Sequence, residues 1–278
     1  MTAPNAPAML VVSIDVEDAV SDPQAAAQRP VGATVDGAVD ALLRFFSDRD
    51  VGATWNFADP AASPLAKRVL SDAGDHEISL RADANWAGPD VGRGRFANQL
   101  GQRLARAQDA GFSISTLSLV AGAVPQQLDL LVQHGITAVR PAETSQLDPA
   151  QATRLPKLHV WRRSVGDAEN ASQPRPLRWG LWSVPVGCDL LAKSARHTRH
   201  QIERAARCGA LVHCLLDVPA LLNRHGRTLR MLDAALTCIL DQRDAGRLRI
   251  STVTRVVGTL GWRQSTPPAR SILHRRAA

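Results

Sequence analysis

Short apolar runs alternate with helix-patterned stretches along most of the 278 residues, and this alternation restricts the fold more than any other feature. Residues 9–14 form an apolar run of the buried-strand type, and residues 35–48 follow with apolar side chains at helical spacing. We predict strands at 9–14, 51–57, 76–80, 115–120, 136–139, 158–162, 181–186, 210–216 and 248–251, and helices at 35–48, 63–70, 96–110, 126–133, 194–207 and 229–244. This order predicts an α/β protein with a parallel sheet, either a barrel or an open sheet.

The alternation is interrupted once, by a proline-rich stretch at 143–176. We interpret this stretch as an irregular insertion within a single domain that covers 1–265, because regular alternation resumes after it. Residues 266–278 are rich in proline and arginine and are predicted to be a flexible basic tail. Hydrophobic residues make up 45% of the chain and charged residues 21%, which excludes a mostly disordered protein.

Targeting signals and cysteine patterns exclude several classes of protein. No apolar run approaches the roughly 20 residues that a membrane span needs, and the first residues lack the basic region of a signal peptide. We therefore expect a cytoplasmic protein with no membrane span. The four cysteines show no C-x-x-C spacing, so we expect reduced thiols and neither a zinc ribbon nor a disulfide framework.

The charge is distributed unevenly between the two halves of the chain. The first 140 residues contain 16 acidic and 11 basic residues, whereas the remainder contains 10 acidic and 22 basic residues. A polyanion partner and a solvated arginine-rich surface are both compatible with this pattern. Because no nucleic-acid-binding motif accompanies the arginines, we do not expect nucleic acid as a partner.

Acidic residues follow the first predicted strand. In α/β folds the functional site lies at the carboxyl ends of the strands, so Asp15 and Glu17 are candidates, together with Asp18. Strand alternation points the first two side chains the same way, where they could face one cation or one water. Crowded carboxylates repel, and a metal ion or an arginine relieves the repulsion; acids of a polar loop or a helix start are the alternative. The same rule selects three residues of later strands: Arg81, Asp83 and His213.

At this point the motifs resemble those of a known family. The segment LVVSIDVEDAV at 10–20 resembles the first motif of the polysaccharide deacetylase (NodB-homology) family. VGATWNF at 51–57 is similar to its second strand, DHEI at 75–78 to its G-H-E-I segment, LDLL at 128–131 to its L-D-L-L helix, and GALVHC at 209–214 to its last motif. The resemblance covers about residues 9–219 and depends on the order and spacing of short motifs.

The resemblance implies both a fold and an activity. The fold would be a distorted (β/α)-barrel of about seven parallel strands. The activity would be that of a hydrolase of carbohydrate metabolism that removes N-acetyl groups from sugars with a divalent metal, such as zinc, as its cofactor. It also implies that Asp15 is the general base, Glu17 a metal ligand and His213 the general acid.

Two parts of the family pattern are missing. The H-x-x-x-H pair that binds the metal in the family corresponds to Arg81 and Asn85, and arginine is a permanent cation that repels a metal ion. An R-x-P sequence, whose arginine orients the catalytic aspartate, is expected near Val120, but the chain reads LVAGAV at 119–124. We predict that Arg81 pairs with Glu17 and replaces the metal centre by a salt bridge, which removes the family's reaction.

Candidate substrate-binding residues include tryptophans, because indole rings offer flat apolar faces to a sugar. We predict this role for Trp86 and Trp182, with Arg81 and Asp83 as polar contacts. Three functions remain open. The chain is an amide hydrolase with an altered or metal-free site, an inactive barrel that binds a sugar or a protein partner, or a polyanion-binding protein that uses its basic second half. A sugar or small molecule is the expected ligand.

Overall fold

The computed structural model describes residues 7–17, 34–88, 90–119, 127–142, 173–191, 194–223 and 227–265. The strands are β1 (Ala8–Val16), β2 (Thr54–Phe57), β3 (Glu77–Ala82), β4 (Thr116–Leu119), β5 (Ala138–Arg140), β6 (Arg175–Pro176), β7 (Trp182–Ser183), β8 (Cys188–Asp189), β9 (Leu211–Asp217) and β10 (Leu248–Ile250). The helices are α1 (Val35–Ser47), α2 (Pro64–Ser71), α3 (Ala84–Ala87), α4 (Arg93–Asp109), α5 (Leu128–Gln133), α6 (Ala195–Cys208), α7 (Val218–Asn223), α8 (Arg227–Asp244) and α9 (Val253–Ser265).

The strands form one curled, mostly parallel sheet in the order β6-β7-β5-β4-β3-β2-β1-β9-β8, and β10 also pairs with β1. Only β6 runs antiparallel among the described strands, where it pairs with β7. The result is a half-barrel, which confirms the predicted α/β class. Within the described residues the sheet has ten strands rather than about seven, and three of them, β6, β7 and β8, are only two residues long.

The segment between β7 and β8 carries the chain from one side of the sheet to the other. The Val184 N–H donates to the Val139 carbonyl at 2.8 Å, and the Gly187 N–H donates to the His213 carbonyl at 2.9 Å. Of the strand that we predicted at 181–186, the structure forms only β7, and β8 follows outside that range.

The outer face of the sheet is apolar and is covered by helices. On β1 the alternate residues Leu10, Val12, Ile14 and Val16 face outward into the largest core cluster. Helix α1 contributes Val39, Leu42 and Phe46 to the same cluster, from positions at helical spacing. The Thr34 hydroxyl oxygen accepts from the Gly37 N–H at 3.1 Å and begins this helix.

The inner face of the half-barrel is largely polar. The side chains of Asn56, Ser79 and Ser118 form a buried hydrogen-bond network on this face. The Ser118 hydroxyl donates to the Asn56 side-chain oxygen at 2.7 Å. Buried polar groups need hydrogen-bond partners, and the network supplies them. Through Asn56 it is also hydrogen-bonded to the carboxylate of Asp15.

Helix α9 begins on a half-buried carboxylate near the amino-terminal ends of the strands. The Glu77 carboxylate accepts from the Thr254 N–H at 3.0 Å and from the Thr254 and Thr116 hydroxyls, each at 2.6 Å. A carboxylate stabilises a helix N-terminus because it offsets the helix dipole. The sequence did not predict this helix, since its glycines and β-branched residues have low helix propensity and its start depends on this distant contact.

Some predictions fall outside the described part of the chain. These are the strand at 158–162, residues 143–172 of the insertion, the tail at 266–278 and the carboxylate of Asp18. Across the ranges that the structure describes, no helix is both long enough and apolar enough to cross a bilayer.

Candidate functional site

Asp15 is the centre of a charged cluster at the carboxyl ends of the strands. It lies near the end of β1, and its side chain points to the polar interior. The Asn56 amide donates to the Asp15 carboxylate at 2.8 Å, and Nη2 of Arg140 donates to it at the same distance. Asn56 is on β2 and Arg140 is on β5, so the arginine reaches across the half-barrel to orient the carboxylate.

Glu17 and Arg81 form the ion pair that we predicted. Nη2 of Arg81 lies 2.7 Å from Oε1 of Glu17, and Nε of Arg81 lies 3.9 Å from Oδ2 of Asp15. Burial opposes the charged form of Arg81, but Asp15 and Glu17 outweigh it and raise the pKa of the guanidinium above its ordinary value. Arg81 is therefore a fixed cation between the two carboxylates.

Asp217 completes the cluster from β9. Its backbone is in register with that of Asp15 on the neighbouring strand β1. Burial raises the pKa of Asp217 to about 7, and the negative charges of Asp15 and Glu17 add to the effect. Asp217 thus carries a proton in part of the molecules at neutral pH.

His213 faces the interior but lies below the cluster. It is in register with Val11, four residues before Asp15 along β1. Nδ1 of His213 is 3.1 Å from the Val184 carbonyl oxygen, which can only accept, so Nδ1–H is the donor. Nε2 therefore accepts from the Ser13 hydroxyl at 2.7 Å. Burial lowers the pKa of His213 to about 3, so the imidazole is neutral. The structure does not bring this predicted general acid to the carboxylates.

The two tryptophans predicted to stack on a sugar are core residues instead. Trp86 is 3% exposed and stacks on Phe96 with ring centroids 6.1 Å apart, and Trp182 is 5% exposed. Strand and helix patterns show which face a side chain occupies, but not whether another element covers that face. Trp179 has an indole that is 60% exposed, and the sequence did not single it out.

Asp83 and Asn85 lie at the start of α3, away from the ion pairs. The Asp83 carboxylate accepts from the Asn85 N–H at 2.8 Å and begins this helix, and both residues are exposed. Asp83 therefore has a structural role here, that of a helix N-cap.

The residues of the cluster do not fit a divalent metal. The two carboxylates that the resemblance assigns to the metal and to catalysis are both next to a permanent cation, Arg81. Within the described ranges, no group of three His, Cys, Asp or Glu residues is placed to hold a metal ion. The arrangement is that of a salt-bridged cluster.

Sequence reasoning missed Arg140 and Asp217. Arg140 follows the predicted strand 136–139 and Asp217 follows the predicted strand 210–216, so the rule that selected Asp15 applied to both. Arg140 makes the contact to the aspartate that we expected from an arginine near Val120. The arginine contact to Asp15 is present, but the residue that makes it comes from the next strand.

Two buried guanidinium nitrogens in the cluster have no hydrogen-bond partner among the described residues. They are Nη1 of Arg140 and Nε of Arg81. A buried N–H without an acceptor costs about 1–3 kcal/mol, which a ligand oxygen or a water relieves. The cluster can therefore donate hydrogen bonds from its arginines and accept them at its carboxylates.

The comparisons with known proteins concern the fold. No family model matches the sequence, and no curated protein matches it either. A crystal structure described as a "putative polysaccharide deacetylase from Mycobacterium smegmatis" is similar over 100% of this chain and 97% of that one, with a TM-score of 0.60 and 14% sequence identity. An uncharacterized protein from Agrobacterium tumefaciens C58 aligns over 91% of both chains at 14% identity, with a TM-score of 0.43. The chain thus has the fold of a deacetylase-like structure.

Proposed function

We propose that this protein binds a carbohydrate at the carboxyl ends of its strands and does not catalyse metal-dependent deacetylation. The observation that carries the proposal is the guanidinium of Arg81, which pairs with Glu17 at 2.7 Å and lies beside Asp15. A metal hydrolase needs these carboxylates for the cation and for the attacking water. Here they neutralise an arginine.

The same cluster has the mixed hydrogen-bonding character that a sugar needs. Sugar hydroxyl groups both donate and accept, and the cluster offers guanidinium donors and carboxylate acceptors side by side. The similarity in fold to a structure described as a polysaccharide deacetylase supports a carbohydrate ligand. Carbohydrate binding does not need Asp15 to act as a general base. The buried hydrogen bond from Arg140 holds the Asp15 carboxylate in place.

The first experiment tests the metal. Zinc, cobalt and nickel are titrated by calorimetry into protein pretreated with a chelator. We expect no one-to-one binding, because Arg81 repels a cation at this place. Tight binding that disappears in Glu17→Ala would overturn the proposal and would direct attention to deacetylase substrates.

The second experiment tests the sugar. Binding of N-acetylglucosamine oligomers is followed by saturation-transfer NMR with the wild type, Arg81→Met and Arg93→Met. Arg93 forms an exposed ion pair with Asp129 and is not part of the described ion pairs of Asp15 and Glu17, so it is a matched control. We expect binding to be lost with Arg81→Met and retained with Arg93→Met. Equal binding by all three proteins would place the sugar elsewhere.

A polyanion is the second candidate partner. Helix α6 exposes Arg196, Arg199 and Arg207 together with His197 and His200, and Glu203 pairs with one of these arginines. Affinity for heparin that falls steeply with salt would support this candidate, whereas a flat salt dependence would exclude it.

A further inference from the structure

The turn between β6 and β7 holds an exposed indole in a backbone conformation that tryptophan disfavours. The Leu181 N–H donates to the Arg178 carbonyl at 3.2 Å and closes the turn. The two residues between them, Trp179 and Gly180, have left-handed backbones with φ angles of 57° and 78°. Hairpin turns with two left-handed residues favour Asn-Gly, because a bulky side chain in this conformation costs free energy. Strained residues of this kind cluster at sites that bind ligands, and Trp179 is 60% exposed.

The same hairpin carries positive charge that no acidic residue balances. Arg178 directly precedes the tryptophan and Arg175 begins β6, and both arginines are exposed. Residues 175–183 include no acidic residue, and in the part of the chain that the structure describes neither arginine forms an ion pair. A guanidinium binds a carboxylate through two parallel hydrogen bonds. The hairpin therefore combines a flat apolar face with two cations that an anion can reach.

We propose that this hairpin binds an acidic polysaccharide, with a sugar ring stacked on the Trp179 indole and sugar carboxylates paired with Arg175 and Arg178. This site is separate from the carbohydrate site proposed at Asp15. Strand β7 runs parallel to β5, so the turn that precedes β7 lies at the amino-terminal ends of the strands, whereas Asp15 lies near the carboxyl end of β1.

A polymer of acidic sugars fits the hairpin better than a membrane surface does. Arg175 and Arg178 are three residues apart, at most about 10 Å along the chain, so a polymer with a carboxylate on each ring can reach both. A sugar ring presents a flat apolar face that covers an indole. Leu181 is buried, and of the described residues in this turn only Trp179 exposes a large apolar side chain, which gives too little apolar area to anchor on a bilayer.

The test is calorimetric titration at pH 7 with oligogalacturonate and with its methyl ester of the same length, which keeps the sugar and removes the charge. The proteins are the wild type, Trp179→Asn, the double variant Arg175→Gln with Arg178→Gln, and Leu70→Asn. Leu70 is 51% exposed on α2, so Leu70→Asn is a matched control for the loss of an exposed apolar side chain. We expect the wild type and Leu70→Asn to bind the acidic oligomer at least about tenfold more tightly than the ester. Trp179→Asn should weaken binding of the acidic oligomer at least about tenfold, and the double arginine variant should lose the preference over the ester.

Several outcomes would overturn the assignment of this hairpin. They are no binding of the acidic oligomer by the wild type, equal affinity for the ester, undiminished binding by Trp179→Asn, and tighter binding of a single-stranded oligonucleotide, which would assign the hairpin to nucleic acid. None of them affects the carbohydrate site at Asp15, which is tested with uncharged N-acetylglucosamine oligomers and Arg81→Met. Urea unfolding shows whether each variant keeps its fold. Because asparagine suits the left-handed backbone, Trp179→Asn should be at least as stable as the wild type, so that weaker binding reports the lost indole.

Discussion

Two groups on β9, His213 and Asp217, should make the stability of the protein respond to pH in opposite directions. Burial lowers the pKa of His213 from 6.5 to about 3, and burial with nearby carboxylates raises the pKa of Asp217 from 3.8 to about 7. Between about pH 4 and 6.5 the unfolded chain binds a proton at His213 that the folded protein does not. Over the same range the folded protein keeps a proton on Asp217 that the unfolded chain has lost.

The sizes of the two effects follow from these pKa values. Each group changes the free energy of unfolding by about 1.4 kcal/mol per pH unit while only one of the two states is protonated. From pH 5 to 6.5, neutral His213 therefore adds about 1.5–2 kcal/mol of stability. Over the same pH interval, protonated Asp217 lowers the free energy of unfolding by a similar amount. Because Asp217 is only partly buried, we expect the lower value of the range, about 1.5 kcal/mol. The two contributions offset each other in the wild type.

The assay is urea unfolding at pH 5 and pH 6.5, followed by tryptophan fluorescence, for the wild type, His213→Gln, Asp217→Asn and the double variant. Glutamine at 213 can still donate to the Val184 carbonyl and accept from the Ser13 hydroxyl. From pH 5 to 6.5 we expect His213→Gln to lose about 1.5–2 kcal/mol relative to the wild type, and Asp217→Asn to gain about as much. The double variant should match the wild type, because the two side chains are four residues apart and act independently.

The differences between variants isolate the two groups, since His76 and the other titrating residues are common to all four proteins. A wild-type pH dependence in Asp217→Asn would refute the claim that this carboxyl keeps its proton in the folded state. A wild-type pH dependence in His213→Gln would refute the neutral, buried imidazole.

Three further substitutions test other features of the structure. Arg140→Met should destabilise the fold by about 3–5 kcal/mol, because Asp15 would lose its buried partner, and Arg140→Met combined with Asp15→Asn should recover part of this loss in urea unfolding. Glu77→Gln should cost about 1.5–3 kcal/mol by removing charge-assisted hydrogen bonds to the start of α9, and an unchanged melting temperature would contradict the helix-anchoring role. Trp179→Asn should stabilise the protein by about 0.5–1 kcal/mol, because the indole is exposed and the backbone φ of 57° is left-handed; the helical control Leu70→Asn should bring no gain.

Strand–helix alternation predicted the fold class, and strand alternation predicted that Asp15 and Glu17 point the same way. The pairing of Arg81 with Glu17 was predicted from the family resemblance. The first two relations are local, or follow from the rule that parallel strands end at one edge. The position of His213 along the strands could not be predicted in this way, because it depends on the register of β9 against β1. Nothing in the sequence of either strand specifies that register by itself, and it places the histidine a full four residues below the aspartate.

Arg140 shows a second kind of limit. The sequence indicated that Arg140 lies at a strand end. It did not indicate its partner, Asp15, which lies across the half-barrel and 125 residues earlier in the chain. The burial of Trp86 is similar, since its cover comes from Phe96 and from Arg103, whose guanidinium lies 5.0 Å from the ring centroid. Contacts of this kind depend on the packed arrangement of several elements, which periodicity does not contain.

The pairing of β1 has a consequence for the order in which the chain can fold. Its neighbour β2 follows it closely in the chain, but β9, which pairs with it over seven residues, comes about 200 residues later, and β10 comes later still. While the ribosome adds residues at about 5–20 per second, the edge of this apolar strand that later receives β9 stays unpaired for tens of seconds. The nascent chain is therefore most vulnerable to aggregation before β9 emerges. A chaperone that holds the first strand in this interval would affect the yield of folded protein more than one that acts after release.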